Sequence, residues 1–160
     1  MIESIPNKTL ASLNIKKLTE YVKIKPCCTN YPDCIHANHQ SDKFLHKDFL
    51  DVNESIETAV KDFLGDVKVV DKYSWVYLTK AGEQVDSQRH NHNVPSSRIC
   101  YSGIAYLTET NLGTVIVDGN IIKPIMNHWH IFNSSIFHHP EKGTVDKDRL
   151  VLAFDIHLDI

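Results

Sequence analysis

From residue 66 onwards, short apolar or alternating segments follow one another with no helical pattern between them. The clearest are residues 73–79, which place Tyr73, Trp75 and Tyr77 on one side, and residues 98–108, where Gly103 indicates a bulge or a close approach. Further strands are predicted at 67–70, 114–117, 121–122, 129–133 and 149–158, with a hairpin turn at Asp118-Gly119. Because parallel strands need crossover helices, this pattern disfavours a βαβ sheet and favours packed antiparallel sheets.

Residues 1–65 carry the helical signals. Apolar side chains recur at three- and four-residue steps from Leu13 to Val22, where Asn14 can cap a helix that Pro26 ends. A second helix is predicted over 54–64, capped by Asn53 or Ser55 and stopped by Gly65. We therefore expect a single α+β domain over residues 1–160. Its 1–65 part is helical and irregular, and its 66–160 part is a jelly-roll, cupin-like double-stranded β-helix.

Charge and hydropathy narrow the classes of partner. The net charge of -3 argues against a large nucleic-acid footprint, although a local basic groove remains compatible with it. No apolar run is long enough to span a bilayer, and the first residues lack a secretory pattern. The sequence therefore predicts a cytoplasmic protein, and exposed edge strands would allow a homodimer.

Residues 26–47 read as an irregular segment that is rich in cysteine and histidine. Cys27, Cys34, His36 and His39 are the ligand types that zinc prefers, but their spacing matches no established zinc motif. Two readings stay open, a zinc site or a loop that happens to contain thiols and imidazoles. The same segment could also cover an active site.

The main candidate for chemistry is His90-Asn91-His92. Residues two apart on a strand share a face, so the two imidazoles would project together and could form a metal site with a distant third histidine. Only one of the adjacent pair His138 and His139 can face inward, and His128-Trp129-His130 is a competing H-x-H pair. The alternative is that His90 and His92 are solvated loop residues.

Several short patterns occur in a recognisable order between residues 75 and 158. A Trp-bearing strand leads to a Gly turn (75–82), and the H-x-H pair follows. Next come Ser102-Gly103-Ile104-Ala105-Tyr106-Leu107, a strand led by Gly113, and Ile122-Lys123-Pro124. Phe132 stands six residues before His138, and the last strand runs from Arg149 to Asp155. In this order and spacing the segment resembles the small 2-oxoglutarate and Fe(II)-dependent oxygenase-like family of phage and marine bacterial genomes, which is related to the prolyl hydroxylases.

The resemblance implies an Fe(II) and 2-oxoglutarate-dependent oxygenase, most simply a hydroxylase, with an unidentified main substrate. It implies that His90, His92 and His138 bind iron, because its register selects His138 over His139. It also implies that Arg149 holds the far carboxylate of 2-oxoglutarate, with Tyr101 or Tyr106 as hydroxyl donors. The alternative for Arg149 is a surface residue that balances Asp146 and Asp148.

This sequence departs from the wider superfamily at one position. His92 stands where His-x-Asp or His-x-Glu would place a carboxylate, so that frame carries no negative ligand. Two other functions remain open: a cupin-type metal-binding dioxygenase or isomerase that does not use 2-oxoglutarate, and a non-enzymatic binding or virion-associated module. The cupin reading lacks the expected Glu after the H-x-H pair, since residues 95–98 are Pro, Ser, Ser and Arg.

Overall fold

The strands form two antiparallel sheets in this computed structural model, which describes residues 2–27, 39–85, 92, 95–116 and 120–159. The larger sheet has five strands in the order β1-β6-β3-β8-β2, and the smaller has three in the order β5-β4-β7. The strands are β1 (Ile2–Pro6), β2 (Val69–Thr79), β3 (Arg98–Tyr106), β4 (Thr114–Ile116), β5 (Ile121–Ile122), β6 (His128–Asn133), β7 (His138–Pro140) and β8 (Arg149–Asp159). This is the predicted double-stranded β-helix.

The helices precede all of these strands except β1. A 3-10 helix (Lys8–Ser12) leads to α1 (Ile15–Ile24), and α2 (Leu45–Asp48) leads to α3 (Leu50–Leu64). As predicted, Asn14 caps α1 by accepting a hydrogen bond from the Lys17 amide at 3.1 Å, and Gly65 follows α3 with a positive φ of 75°. The helix predicted to start at residue 54 begins at Leu50, and no side chain caps it. None of the described helices is long and apolar enough to cross a membrane.

Two strand predictions need correction. Residues 2–6, expected to be helical or irregular, form β1, which pairs with β6 at the edge of the larger sheet. Such a short segment has little pattern of its own, and its strand form depends on that partner. The two strands predicted within 67–79 are one continuous strand, β2, with a register irregularity between Val69 and Asp71. The Asp118-Gly119 turn lies outside the described residues.

The two faces of the larger sheet have different partners. Val76, Leu152 and Trp129 are fully buried on the face that packs against α1 and α3, in a cluster that includes Leu18 and Ile56. The opposite face meets the smaller sheet through a second, smaller cluster of Ile116, Ile122 and Phe132. The helices thus stabilise one side of the sheet and leave the space between the sheets for a cavity.

Gly103 makes the close approach that the sequence indicated. It pairs with Phe154 across β3 and β8, and a Cβ atom at residue 103 would lie 2.1 Å from the Phe154 ring. The aromatic ring therefore occupies the space that any side chain at residue 103 would need.

Candidate active site

A cavity of about 680 Å³ lies between the two sheets. Because side chains alternate along a strand, Tyr73, Trp75 and Tyr77 on β2 face it, while Val76 and Leu78 enter the core behind. On β8 the same alternation brings residues 149, 151, 153, 155 and 157 to the cavity. The smaller sheet contributes Thr114, His138 and Pro140.

His92 and His138 lie together in this cavity, with ring centroids 5.2 Å apart. His138 Nδ1 is 2.9 Å from the Ile136 carbonyl oxygen, and His92 Nδ1 is 2.6 Å from Asp155 Oδ2. An acceptor at Nδ1 favours the tautomer with its hydrogen there, and that tautomer carries its lone pair on Nε2. Such an arrangement is typical of metal-binding histidines, whose second nitrogen donates to a carboxylate or carbonyl.

Asp155 was not predicted as a site residue. Its carboxylate accepts a 2.6 Å hydrogen bond from Ser102 Oγ in addition to its contact with His92. Ser102 Oγ is also 2.9 Å from Ser134 Oγ, and the His92 amide donates to the Ser134 carbonyl at 3.0 Å. The signal in the sequence was an acidic residue in an otherwise apolar strand, on the same face as Arg149. Strand β8 therefore places a carboxylate at Nδ1 of His92, where it orients the imidazole, and the H-x-H frame itself still has no carboxylate ligand.

Arg149 starts β8 and is only 3% exposed, so the alternative of a surface residue is wrong. Its guanidinium carbon lies 5.6 Å from the centre of the Tyr106 ring, and its nitrogens make only long contacts, 3.4 Å, to the Leu112 carbonyl. Burial lowers the pKa of Arg149, but arginine starts so high that the group remains a cation. Within the described part of the chain no carboxylate forms an ion pair with it. A buried cation without such a partner is suited to an anionic ligand.

The two tyrosines differ in position. Tyr106 is buried beside Arg149, and its hydroxyl is 2.7 Å from Thr114 Oγ1. Tyr101 lies on the helix-facing side of the sheet and packs edge-on against Phe63 of α3, with ring centroids 5.3 Å apart. The prediction that Tyr101 could serve as a hydroxyl donor is therefore corrected. Since Ser102 faces the cavity, its neighbour must face away.

The remaining candidate histidines lie outside the cavity or outside the described residues. His90 lies outside the described residues, so its predicted role stays a prediction. His139 is partly exposed, and its Nδ1 lies 2.8 Å from the Pro140 carbonyl. In the competing pair, His130 is fully buried against Ser4, with Nδ1 2.7 Å from Ser4 Oγ. His128 contacts the Met126 carbonyl, and neither lines the cavity.

The suggested zinc segment is only partly described, because Cys34 and His36 lie outside the described residues. Cys27 is buried and lines the cavity, where burial raises the pKa of its thiol. His39 instead stacks on Tyr77 and contacts Glu83 at 3.3 Å. Among the described residues no three His, Cys, Asp or Glu side chains are grouped to hold a metal ion.

The residues of the cavity nevertheless fit an iron site with one ligand from outside the described residues. His92 and His138 supply two imidazoles, which suit Fe(II), and an Asp155 contact orients one of them. The predicted third ligand, His90, precedes His92 by two residues. Imidazole alone does not distinguish iron from nickel, zinc or copper.

Solved structures share this architecture. A complex of EvdO2 from Micromonospora carbonacea var. aurantiaca with 2-oxoglutarate aligns with a TM-score of 0.68 and 10% identity, over 99% of this chain and 88% of the other. A prolyl-4-hydroxylase of Pseudomonas putida aligns with a TM-score of 0.57 and 14% identity, over 99% of this chain and 92% of the other. A non-heme monooxygenase, ThoJ, in complex with nickel aligns with a TM-score of 0.66 and 11% identity, over 97% of this chain and 71% of the other.

By sequence, no protein-family model and no curated protein matches the chain. The solved structures confirm the predicted resemblance to 2-oxoglutarate-dependent oxygenases at the level of the fold. The chain therefore has the double-stranded β-helix fold of these solved structures, with two histidines and a buried arginine inside it.

Proposed function

We propose that the protein is an Fe(II) and 2-oxoglutarate-dependent oxygenase that hydroxylates an organic substrate. The observation that carries the proposal is the presence of one cavity that contains both the His92–His138 pair and the buried Arg149. Among the described residues Arg149 has no carboxylate partner, so it is available to the far carboxylate of 2-oxoglutarate. The solved structures support the fold of such an enzyme.

His92 and His138, together with His90, would hold the metal. When bound, Fe(II) supplies the oxygen-activating chemistry of the reaction. One O₂ and one 2-oxoglutarate are consumed. One oxygen atom enters a C–H bond of the substrate and the other enters succinate, with release of CO₂.

Arg149 binds the far carboxylate of 2-oxoglutarate through its guanidinium, which can donate two parallel hydrogen bonds. The Tyr106 ring beneath it and the Leu112 carbonyl limit its rotamers, so the guanidinium is oriented before the co-substrate arrives. The Tyr106 hydroxyl, paired with Thr114, borders the same region as a polar group. Apolar side chains such as Val151 and Phe132 line the rest of the cavity, where they would limit the access of water to the reaction.

The test is anaerobic titration of the full chain with Fe(II) and 2-oxoglutarate, following the weak metal-to-ligand charge-transfer band of the ternary complex. We expect the band in the native protein and in His139→Ala. His139 is the matched control, because it neighbours His138 but does not line the cavity. We expect no band in His138→Ala, and weaker 2-oxoglutarate binding in Arg149→Met because a neutral side chain cannot pair with the carboxylate.

Absence of the band in the native protein would refute the proposal. A band that survives equally in His138→Ala and His139→Ala would show that the ligands are assigned wrongly. Succinate formation in air, without added substrate, separates this activity from that of a cupin, which needs no 2-oxoglutarate.

A further inference from the structure

Three aromatic side chains form a continuous wall along one side of the cavity. Tyr73, Trp75 and Tyr77 alternate on β2, all three face inward, and all three are half-buried. At about 3.3 Å per residue the row extends over roughly 13 Å. Tyr77 adjoins Arg149 and borders the co-substrate pocket, but Tyr73 and Trp75 lie further along β2, because the arginine pairs with Thr79.

The wall also adjoins the metal-binding residues. The Trp75 ring lies 6.0 Å from the His92 ring, centre to centre. A flat molecule stacked on Trp75 would therefore lie beside the proposed iron ligands, where a substrate must lie. The volume of about 680 Å³ is within the range of pockets that hold drug-sized ligands, so there is room for a second molecule next to 2-oxoglutarate.

One lysine supplies a positive charge at this wall. Lys43 Nζ lies over the Trp75 ring, 5.4 Å from its centre, and the described residues provide no ion pair for it. Among the described residues, Asp155 is the acidic side chain that lines the cavity, and it already contacts His92 and Ser102. Lys43 therefore offers a cation that the co-substrate does not need, since Arg149 serves its carboxylate.

We infer that the main substrate is a mononucleotide-like anion, with a planar ring packed against Trp75 and a negatively charged group at Lys43. This inference rests on the proposed function and names the substrate class of the same site. Packing against aromatic side chains is a general means of holding nucleobases, and the ammonium of Lys43, which lies over the Trp75 ring, favours an attached phosphate. A small anion fits better than a nucleic-acid chain, because the protein carries a net charge of -3 and the local cation is a single lysine.

The test is titration of the full chain with the adenosine, guanosine, cytidine and uridine 5′-monophosphates, followed by tryptophan fluorescence. The chain has two tryptophans, and Trp129 is fully buried on the other face of the sheet, so ligand-dependent quenching reports Trp75. The unphosphorylated nucleosides supply the base and the ribose without the phosphate, and ribose 5-phosphate supplies the anion without a base. Each titration is made with and without Ni(II) and 2-oxoglutarate.

We expect at least one monophosphate to bind about tenfold or more tightly than its nucleoside and than ribose 5-phosphate. Lys43→Met should reduce its affinity to that of the nucleoside. Lys47→Met is the matched control, because Lys47 also covers an aromatic ring, that of Phe44 at 4.6 Å, but does not line the cavity. In calorimetric titration, Trp75→Leu should bind the monophosphate no more tightly than it binds ribose 5-phosphate.

The inference is overturned if no monophosphate quenches Trp75, if nucleoside and monophosphate bind equally, or if Lys47→Met has the same effect as Lys43→Met. The Fe(II) and 2-oxoglutarate charge-transfer band distinguishes this failure from failure of the proposed function. A native protein that shows the band but binds none of the monophosphates refutes the substrate class alone. A native protein that binds a monophosphate but shows no band refutes the oxygenase.

Discussion

Replacing Asp155 with asparagine tests whether the carboxylate behind His92 strengthens metal binding. Asp155 Oδ2 lies 2.6 Å from His92 Nδ1, and Oδ1 accepts the Ser102 hydroxyl at 2.6 Å. Asparagine has nearly the same size and can still form two hydrogen bonds, but it carries no charge. If its NH₂ group faced Nδ1, the imidazole would also change tautomer and lose the Nε2 lone pair.

The size of the effect follows from this geometry. Removing a partner that orients a metal-binding histidine costs about 10- to 100-fold in metal affinity, which corresponds to roughly 1.4–2.7 kcal/mol. The burial of Asp155, 8% exposed, places the expected value for D155N near the upper end, since water screens the pair little. Ser102→Ala removes a hydrogen bond to Asp155 but leaves the charge, so its effect should be smaller.

Calorimetric titration with Ni(II), which is stable in air, measures this affinity directly. Asp71→Asn is the matched control, because Asp71 pairs with Arg98 and does not line the cavity. Circular dichroism and thermal melting establish that each variant is folded. The reasoning is refuted if Asp155→Asn binds Ni(II) within twofold of the native protein while His138→Ala has lost it. Asp155 would then act in packing alone.

Two further predictions concern stability. Gly103→Ala should lower the free energy of unfolding by about 1–3 kcal/mol, because the added methyl group overlaps the Phe154 ring. Urea denaturation measures this, and an unchanged midpoint would show that the ring moves aside freely. His130 is fully buried, and burial, with a smaller contribution from His128, lowers its pKa from 6.5 to about 4. Between those pH values the unfolded chain binds a proton that the folded protein does not. The free energy of unfolding should therefore fall by up to about 3 kcal/mol as the pH is lowered from 6.5 to 4. Denaturation at pH 7 and pH 4.5 should show this loss of unfolding free energy in the native protein and a smaller loss in His130→Asn. An equal loss in the two proteins would contradict the attribution to His130.

Local patterns predicted most of the strands. Side-chain alternation placed Tyr73, Trp75 and Tyr77 on one face, and the absence of helical periodicity after residue 66 indicated antiparallel sheets. Capping chemistry identified Asn14, and the missing side chain of Gly103 predicted a close approach. Each of these follows from the residue itself and its immediate neighbours.

Other features depend on contacts between distant parts of the chain. Strand β1 exists because β6 offers it hydrogen bonds, and the sequence of five residues could not show this. Tyr101 and Tyr106 look equally suitable in the sequence. The alternation of β3 gives opposite environments to them, since odd and even steps lead to opposite faces.

The sequence by itself determined the antiparallel sheet architecture and the types of side chain available for metal and carboxylate binding, because periodicity and ligand chemistry are local properties. Only the tertiary structure decided which of them meet. His92 and Asp155 are 63 residues apart in the chain, and they touch because β3, β8 and the segment at residue 92 converge on one cavity. The last strand places a carboxylate behind His92, on its Nδ1, at a distance along the chain that no local pattern encodes.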